Sequence, residues 1–509
     1  MNESNYRAAL IPLDERPVNT RYPRMIAEIA GVQLHLPPTE IMCNQRNPAN
    51  TGALLEWARD IAPRVDALIV SCDHLGYGGL IPSRISMEPA GAIVQRLERL
   101  RQIRQQFPAL TLHGFNVITR VSNANDAVEE PAYWQTYGAR LCQLSQLIDR
   151  ELQGEQAGVT VELAALRAQI PDAHTRDFLR RRVRNHTINL HALQLCAEGV
   201  FDLLVVSSDD TSPFGLPSRE KRWLAECAGR LGIGDGPLLM YPGADEIGCA
   251  LVALAINAAA RYVPRFAARY AIPGGENNVA AYEDGPIRQT IERQVRAVGG
   301  VVTDESDAEF ILFVNTPVER RSEWQPEYAD REREERIAPL RAAVAAIAAQ
   351  PSRAVICDVA YPNGADPVLI ELLQQHVALD ELAAYGAWNT AGNTIGTALA
   401  QACASHFAHS TEGRKAQRRF LAHRFIEDWG YQHVARNELR QALLRETDKR
   451  EPAEENLAQT CAWIEGRLNE LIAQLPGFAG RYRIQPGSAR LPWKRAFEVD
   501  FIVEEEIGI

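Results

Sequence analysis

Short apolar runs alternate with segments of helical periodicity along most of the chain, and this alternation constrains the fold more than any other feature. Each run ends in polar residues or in glycine and proline, which is typical of β-strands. In the first half of the chain the runs predict six strands, Ala8–Leu13, Val32–Leu36, Ala67–Ser71, Leu110–Ile118, Leu203–Ser207 and Leu238–Tyr241. The segments between them, such as Ala90–Gln106 and Arg176–Glu198, predict helices.

Strands that alternate with helices form a mainly parallel sheet covered by helices, so we assign the chain to the α/β class. Six strand–helix units within about 260 residues fit either a β/α barrel or a large open parallel sheet. The sequence leaves both architectures open.

A second series of strands and helices begins near Arg269. Its predicted strands are Tyr270–Ile272, Val301–Thr303, Phe310–Asn315, Ala354–Val359 and Ala383–Ala387, and its predicted helices are Ile287–Ala297, Arg333–Ala349, Pro367–Gln375 and Thr394–Ser405. This order predicts a flavodoxin-like α/β sandwich. We therefore expect three parts, a barrel-like α/β domain at 1–265 that carries most candidate site residues, the sandwich at 266–405, and a charged helical extension with an irregular tail at 406–509.

Charge and composition exclude several classes of protein. The 54 Lys and Arg residues against 65 Asp and Glu residues give a net charge of −11, which disfavours a nucleic-acid partner. The sequence shows neither a signal peptide nor a long uncharged apolar stretch, so we expect a cytoplasmic protein without a membrane partner. Its nine cysteines are scattered without CxxC pairs, which indicates neither a disulfide framework nor a thiolate zinc site. Homo-oligomerisation stays open.

Polar side chains follow the first predicted strands, at the positions where ligands bind in α/β folds. The first strand leads into Asp14, Arg16 and Asn19, and the alternative there is a turn fixed by proline with a local ion pair. The third strand leads into a glycine-rich segment, and the fourth strand contains or precedes an amide and a guanidinium. The candidate substrate-binding residues of these two segments are Asp73, His74, Tyr77, Arg84, Asn116 and Arg120. A structural glycine turn and a hydrogen-bonded structural histidine are the alternatives for the third strand.

The fifth predicted strand delivers two adjacent carboxylates, Asp209 and Asp210, into a loop rich in proline and glycine. Burying either charge without a partner is costly, so packing does not explain the pair. Two neighbouring carboxylates acquire different pKa values, as an acid and a base require. We therefore assign the catalytic role to Asp209 and Asp210. The alternative is a helix N-cap beside a solvated neighbour.

Further candidate substrate-binding residues follow later strands. Asp245 and Glu246 precede a helix, where capping explains one carboxylate but not both. In the second series we select Asp358, Asn363, Trp388, Asn389 and Asn393. A tryptophan face flanked by amides suits the binding of a sugar ring, although the same residues fit an ordinary turn from loop to helix.

The sequence contains no serine-nucleophile elbow, no zincin helix and no Walker motif, which disfavours the corresponding chemistries. We predict no cofactor, but the abundant carboxylates leave a divalent metal open. The alternative function is therefore a hydrolase or lyase that uses Mg²⁺ or Mn²⁺ held by Asp14, Asp73, Asp209 and Asp210. A non-catalytic protein that binds a sugar or a metabolite is the other alternative.

Several longer motifs carry a resemblance to a known family. They read PLDERPVNTRYP, SCDHLGYGGLIPSR, VVSSDDTSPFG, YPGADEIG, YEDGPI at Tyr282–Ile287, CDVAYPNGAD and WNTAGNTIGTALA. With these motifs the chain resembles the bacterial family known as domain of unknown function 4127 over nearly its whole length. That resemblance implies a fold and a size, but no reaction.

A looser likeness links the Asp-Asp pair to substrate-assisted hexosaminidases, whose barrels carry such a pair at the end of a strand. The likeness implies that Asp209 orients an acetamido group and that Asp210 protonates the glycosidic oxygen. Together with the residues above, it favours a glycoside hydrolase that acts on a small sugar conjugate, N-acetylated or not. The expected partner is a small carbohydrate or metabolite.

Overall fold

Six parallel strands form the first of two large sheets in a computed structural model that describes residues 6–155, 158–209, 211–234, 236–318 and 322–506. The strands are β1 (Arg7–Ile11), β2 (Gln33–His35), β3 (Ala67–Ser71), β4 (Thr111–Ile118), β5 (Leu203–Ser208) and β6 (Leu238–Pro242). Their order in the sheet is β2-β1-β3-β4-β5-β6. Within the described residues β2 and β6 are edge strands, so this sheet is open and does not close into a barrel.

Eleven helices of the described chain connect and cover the first sheet. They are α1 (Pro17–Ile29), α2 (Thr51–Ile61), α3 (Cys72–Tyr77), α4 (Leu80–Ile85), α5 (Ala90–Leu97), α6 (Arg99–Gln106), α7 (Trp134–Leu152), α8 (Val159–Arg167), α9 (Asp172–Ala197), α10 (Leu216–Arg230) and α11 (Ile247–Ala260). The apolar residues of α11 lie all round the helix, which is typical of a helix with packing partners on every side.

The second sheet has five parallel strands, β7 (Arg265–Tyr270), β8 (Val301–Val302), β9 (Phe310–Asn315), β10 (Ala354–Asp358) and β11 (Ala384–Gly386). Their order is β11-β10-β9-β7-β8. The accompanying helices are α12 (Ile287–Ala297), α13 (Ala329–Ala349), α14 (Pro367–His376) and α15 (Ala391–Ser405). The chain is thus a mixed α/β protein with two large parallel sheets.

Four helices, α1, α11, α12 and α15, share one apolar core with both sheets. This core contains Leu10 and Val205 of the first sheet together with Leu312 and Val355 of the second sheet, and all four residues are buried. Separate cores cover the outer face of each sheet. The four helices therefore form a layer between the sheets, and those that follow β1, β6 and β11 begin at the same end of the molecule.

The C-terminal part contains α16 (Thr411–Phe425), a π-helical segment (Ile426–Ala435), α17 (Arg436–Thr447), α18 (Leu457–Ile472) and an antiparallel strand pair, β12 (Tyr482–Ile484) and β13 (Val503–Glu505). The helices pack on the outer face of the second sheet. Between β12 and β13 the chain returns to the first sheet, where Arg21 of α1 contacts Asp500 at 2.9 Å.

The α/β assignment from the sequence is confirmed, and the open parallel sheet is the observed alternative for the first half. The largest displacement of a strand concerns β7, which runs from Arg265 to Tyr270 whereas the sequence predicted Tyr270–Ile272. The charged arginines of this strand interrupt its apolar run, so the sequence pattern did not predict its start. In the structure Arg269 does not mark a loop, because it pairs with Glu305 and extends over the ring of Phe313. The part boundaries near 265 and 405 stay predictions.

Candidate functional site

A cavity of about 200 Å³ lies at the carboxyl ends of strands from both sheets. Segments that follow β1, β3, β4, β5 and β6 line it, together with the start of α15 and a stretch of the C-terminal part. Among the sequence-predicted site residues, it is lined by Arg16, Arg84, Arg120, Asp209, Asp245, Asn389 and Asn393. Seven residues that were predicted from their positions near strand ends therefore line one cavity.

Arg16 lies at the centre of a buried ion cluster beside the cavity. Its Nη2 atom contacts Asp14 at 2.7 Å and Asp245 at 2.6 Å, and its Nη1 atom lies 3.7 Å from Glu498. Burial alone would lower the pKa of Arg16, but the three carboxylates outweigh it and raise the pKa well above its usual value. The guanidinium is thus a fixed positive charge whose position is set by three segments distant in sequence.

Local sequence explains how this cluster forms. Pro17 occupies the first turn of α1, and Asp14 accepts the backbone N–H of Arg16 at 3.0 Å, which sets the approach to the helix. Asn19 donates to Asp14 at 2.9 Å and lies 3.3 Å from an oxygen of Asp245. The first turn of α1 therefore holds the side chains of its own loop against the loop that follows β6.

The loop after β6 depends on a glycine. Gly243 has a φ of +141°, and a Cβ atom there would lie 2.2 Å from Oε1 of Glu246. Glu246 accepts the backbone N–H of Ala244 at 3.0 Å and the amide of Gln294 at 2.9 Å. Burial raises the pKa of Glu246 to about 7. The sequence-predicted Glu246 thus lies beneath the cavity and supports its wall.

A second ion cluster is centred on Glu129, in the loop after β4. Arg84 contacts it at 2.6 Å, Arg120 at 3.0 Å, and Arg495 from the C-terminal part pairs with it as well. Burial favours a higher pKa for Glu129, but the guanidiniums hold its pKa well below the usual range. The same Arg84 contacts Asp209 at 2.5 Å. Glu129 thereby positions the guanidinium that neutralises Asp209.

Another carboxyl group, that of Glu283, lines the cavity from the loop that precedes α12. It accepts the backbone N–H of Gly392 at 2.9 Å and the hydroxyl of Thr290 at 3.3 Å. Burial raises the pKa of Glu283 to about 8, and the backbone N–H only partly opposes this rise. Glu283 therefore carries a proton at neutral pH, unlike an ordinary glutamate.

The loops of Asp209 and Glu283 contact each other directly. Both the backbone N–H and the hydroxyl of Thr211 donate to the carbonyl oxygen of Tyr282, at 3.1 Å and 2.9 Å. This contact places the end of β5 beside the loop that precedes α12. Asp210 lies outside the described residues.

The C-terminal part supplies an aromatic wall. Trp493 lines the cavity, and the guanidinium carbons of Arg16 and Arg495 each lie 4.5 Å from its ring centroid. Phe497 lines the cavity too, and the guanidinium of Arg495 lies 5.0 Å from its ring. Cation–π contacts thus connect this wall to both ion clusters.

Four sequence-predicted residues near β3 and β4 lie in the surroundings of the site and do not line the cavity. Asp73 accepts the backbone N–H of Val117 at 2.9 Å, and burial raises its pKa to about 7. His74 contacts the carbonyl of Pro12 at 2.8 Å, and burial lowers its pKa to about 4. Tyr77 lies under Arg184, and Asn116 donates to Asn189 at 2.5 Å. Each of these four is buried in the protein interior.

The second sheet holds three other sequence-predicted residues away from the cavity lining. Asp358 accepts from Asn315 at 2.8 Å and from the backbone of Asp366 at 2.7 Å. Asn363 has a φ of +58° and donates to Glu323 at 2.7 Å. Trp388 is buried, so its ring is not the aromatic surface of the cavity. That surface comes from Trp493.

Several lining residues escaped the sequence argument because they do not follow an apolar run. Glu129 is in a long loop, and the aromatic wall is in a tail that reads as irregular. Glu283 did leave a signal, since it lies within the YEDGPI motif. In the tail, the run Trp493–Phe497 combines an aromatic pair with Lys494 and Arg495, which is unusual for a solvated terminus.

The described side chains include no group of three or more His, Cys, Asp and Glu residues arranged to hold a metal ion. In particular, Asp14, Asp73 and Asp209 have the separate partners given above. In the part of the chain that the structure describes, no helix combines the length and apolar character needed to cross a bilayer.

The family described as protein of unknown function DUF4127 matches residues 8–502. The chain belongs to this family. The match includes every lining residue of the cavity and confirms the resemblance that the motifs indicated. No curated protein and no solved structure matches the chain. The family description assigns no reaction, so the function has to be argued from the site.

Proposed function

We propose that this DUF4127 protein is a glycoside hydrolase that acts on a small sugar conjugate. The observation that carries the proposal is a pair of carboxyl groups, Asp209 and Glu283, that line one cavity from adjoining loops in opposite electrostatic surroundings. When the surroundings of two carboxyl groups give them different pKa values, one can serve as an acid and the other as a base.

Glu283 is the proposed general acid. Its pKa of about 8 keeps it protonated at neutral pH, and the Gly392 N–H fixes its orientation. When the bond between the sugar carbon and the leaving oxygen breaks, Glu283 gives its proton to that oxygen. Water supplies the hydroxyl group that the sugar carbon gains, and its remaining proton restores the acid.

Asp209 is the proposed ionised partner. The Arg84 guanidinium 2.5 Å away favours its carboxylate form. A carboxylate beside the sugar carbon stabilises the positive charge that develops there, either as nucleophile or as base for the attacking water. Asp210 follows Asp209 directly, but the proposal does not depend on it.

The rest of the lining supports a sugar as ligand. Asn389, Asn393, Asp245 and Arg120 offer planar donors and acceptors, which suit neighbouring hydroxyl groups. Trp493 adds an aromatic surface. A volume of about 200 Å³ fits one monosaccharide ring and not a longer chain. These features favour the release of a single terminal sugar.

Two finer features of the sequence prediction belong to the proposal. Counted within each sheet, the strand order begins 2-1-3-4-5 in both, which is the order of flavodoxin-like folds and supports the predicted sandwich. All nine cysteines are free, which supports the cytoplasm as location.

Activity against a panel of nitrophenyl glycosides tests the proposal. The panel should contain both anomers of neutral, amino, N-acetylated and acidic sugars. We expect hydrolysis of one sugar series by the wild type and none by Asp209→Asn. If no glycoside is cleaved while a free sugar raises the melting temperature of both proteins, the site is a binding site and the proposal is wrong.

A further inference from the structure

A second and larger cavity, a groove of about 880 Å³, lies beside the small cavity. Two residues, Arg16 and Trp493, line both spaces. The small cavity has room for a single sugar ring, so the rest of a sugar conjugate has to extend beyond it. The groove is the larger space available to that part of the molecule on the side of Trp493.

Apolar side chains from two distant parts of the chain form much of the groove lining. Met25 of α1 and Met42 after β2 come from the N-terminal part, and Leu491, Phe501 and Ile502 come from the C-terminal segment. Ile502 is 38% exposed although it is apolar. Apolar surface that stays open in a concave space is typical of a binding groove, and it favours an occupant with an apolar body.

Two ion pairs lie in the groove. Arg21 contacts Asp500 at 2.9 Å, and Arg419 contacts Glu28 at 2.7 Å. His423 lines the groove too, and burial holds its pKa well below the usual value, so the imidazole is uncharged at neutral pH. These residues together contribute no net charge to the groove.

The remaining charged residues of the lining also balance. Arg24 and Arg490 are matched in number by Glu15 and Glu40. Arg16 is paired with the buried carboxylates of its own cluster. The groove therefore has no net charge, and a charged occupant would lose hydration without meeting a surplus of opposite charge.

We propose that this groove binds the leaving group of the sugar conjugate, and that the leaving group is an uncharged alcohol with an apolar body. The inference rests on the proposed hydrolase function, because that function assigns the small cavity to the sugar. The proposed chemistry agrees with a neutral group, since the proton from Glu283 lets the leaving oxygen depart as an alcohol instead of an alkoxide.

A dye-binding experiment tests the groove without requiring turnover. The probes are N-phenyl-1-naphthylamine, an uncharged apolar dye, and 8-anilinonaphthalene-1-sulfonate, which has the same skeleton with an added sulfonate. We expect the uncharged dye to bind at least as tightly as the sulfonate, and 1-octanol to displace it. Met42→Glu/Ile502→Glu places a charge on each wall and should weaken the binding of the uncharged dye about tenfold.

Matched variants show whether the dye reports on the groove. Val301→Glu/Val302→Glu, at two exposed valines of β8, should leave dye binding unchanged. Met42→Gln/Ile502→Gln, which is polar but uncharged, should weaken binding less, and it replaces the glutamate variant if that variant does not fold. Tighter binding of the sulfonate, or dye binding that survives both groove variants, would overturn the inference.

A kinetic experiment separates the failure of the inference from the failure of the proposed function. The substrates are the methyl and octyl glycosides of one sugar, whose leaving alcohols have similar acidity and need the same proton. We expect kcat/KM to be at least about tenfold higher for the octyl glycoside, and Met42→Glu/Ile502→Glu to remove most of that advantage. Cleavage of both at equal kcat/KM contradicts the groove assignment alone. Dye binding that the groove variants weaken, without cleavage of any glycoside, contradicts the hydrolase but not the apolar groove.

Discussion

The Nε1 atom of Trp493 donates a hydrogen bond of 2.7 Å to Glu15, although 478 residues separate the two along the chain. Arg16, the next residue after Glu15, lies over the same indole ring. The first loop of the protein and its C-terminal segment thus form one wall of the small cavity. The small cavity is therefore complete only when the first loop and the C-terminal segment are both folded against each other.

Replacement of Asp209 by asparagine tests the ionised carboxylate. We expect Asp209→Asn to lower kcat by at least about a hundredfold, because the amide cannot stabilise developing positive charge or accept a proton. Sugar binding, measured by thermal shift, should persist. Asp60→Asn, at an exposed position of α2, is the control and should keep full activity. Comparable losses of binding and turnover in Asp209→Asn would show that Asp209 serves binding only.

The alkaline limb of the pH–rate profile tests Glu283. An acid with a pKa of about 8 is protonated below that pH, so kcat/KM should fall as the pH rises through about 8. Glu283→Gln should lack this limb. It should also lose far more activity on alkyl glycosides than on nitrophenyl glycosides, whose leaving groups need no proton. A variant that keeps the wild-type limb would assign it to another group.

Glu246 makes the stability of the fold depend on pH. Its pKa of about 7 in the folded protein exceeds the ordinary 4.5, so its favourable contribution is complete below about 4.5 and is lost as the pH rises through about 7. Glu246→Gln cannot ionise. We expect the loss of unfolding free energy between about pH 5 and pH 8 to shrink by on the order of 2–3 kcal/mol in the variant. Urea unfolding at both pH values measures it, with Glu226→Gln on the exposed face of α10 as the control.

Removal of Arg16 should destabilise the protein more than removal of any exposed arginine. Arg16→Ala leaves Asp14, Asp245 and Glu498 buried without their shared cation, and loss of one partner from a buried ion cluster costs about 3–5 kcal/mol. Urea unfolding gives the value. Arg59→Ala, on the exposed face of α2, should leave the midpoint unchanged. Arg16→Lys should recover only part of the loss, because a single ammonium cannot bridge the three carboxylates as the guanidinium does.

Trp493 should control how tightly substrate is held. Trp493→Ala removes the ring that Arg16 and Arg495 contact and that lines the small cavity. We expect KM to rise about tenfold with a smaller change in kcat. Trp463→Ala, at an exposed position of α18, controls for general effects of losing a tryptophan. An unchanged KM would show that the indole does not contact the substrate.

Much of the fold was predictable because both sheets are parallel and buried on both faces. Their strands are continuous apolar runs, so Ala67–Ser71 and Phe310–Asn315 were predicted with the observed bounds. The sequence could not distinguish an open sheet from a barrel, because both architectures place the same helices between the same strands. Only the pairing of the edge strands β2 and β6 distinguishes them.

The site was predictable to the extent that its residues follow strands. Arg16, Asp209 and Asp245 were found in this way, since parallel strands bring their carboxyl ends together. The packing of the protein determines which of the residues after a strand face the cavity and which are buried. No sequence pattern distinguishes the two groups. Asp73 and His74 follow a strand just as directly, yet both are turned into the interior.

Residues contributed by loops and by the C-terminal segment could not be predicted from strand ends. Glu129 and Arg495 reach the cavity through long-range ion pairs, and Arg495 is 366 residues away from Glu129. Their place depends on how the two sheets and the tail pack together. A carboxylate with a raised pKa, such as Glu283, is recognisable only once its burial is known.

The wall that joins Glu15 to Trp493 also bears on the order in which the protein gains its function during synthesis. Both sheets are translated before Trp493 leaves the ribosome, so a growing chain can pair the strands of both large sheets while the small cavity still lacks one side. Chains that end before Trp493 would lack that side of the cavity and also part of the core on the outer face of the second sheet, to which Val499, Phe501 and Val503 belong. A chemical tag or fusion placed between β12 and β13 would disturb the small cavity more than one inserted beside β8, the edge strand of the second sheet.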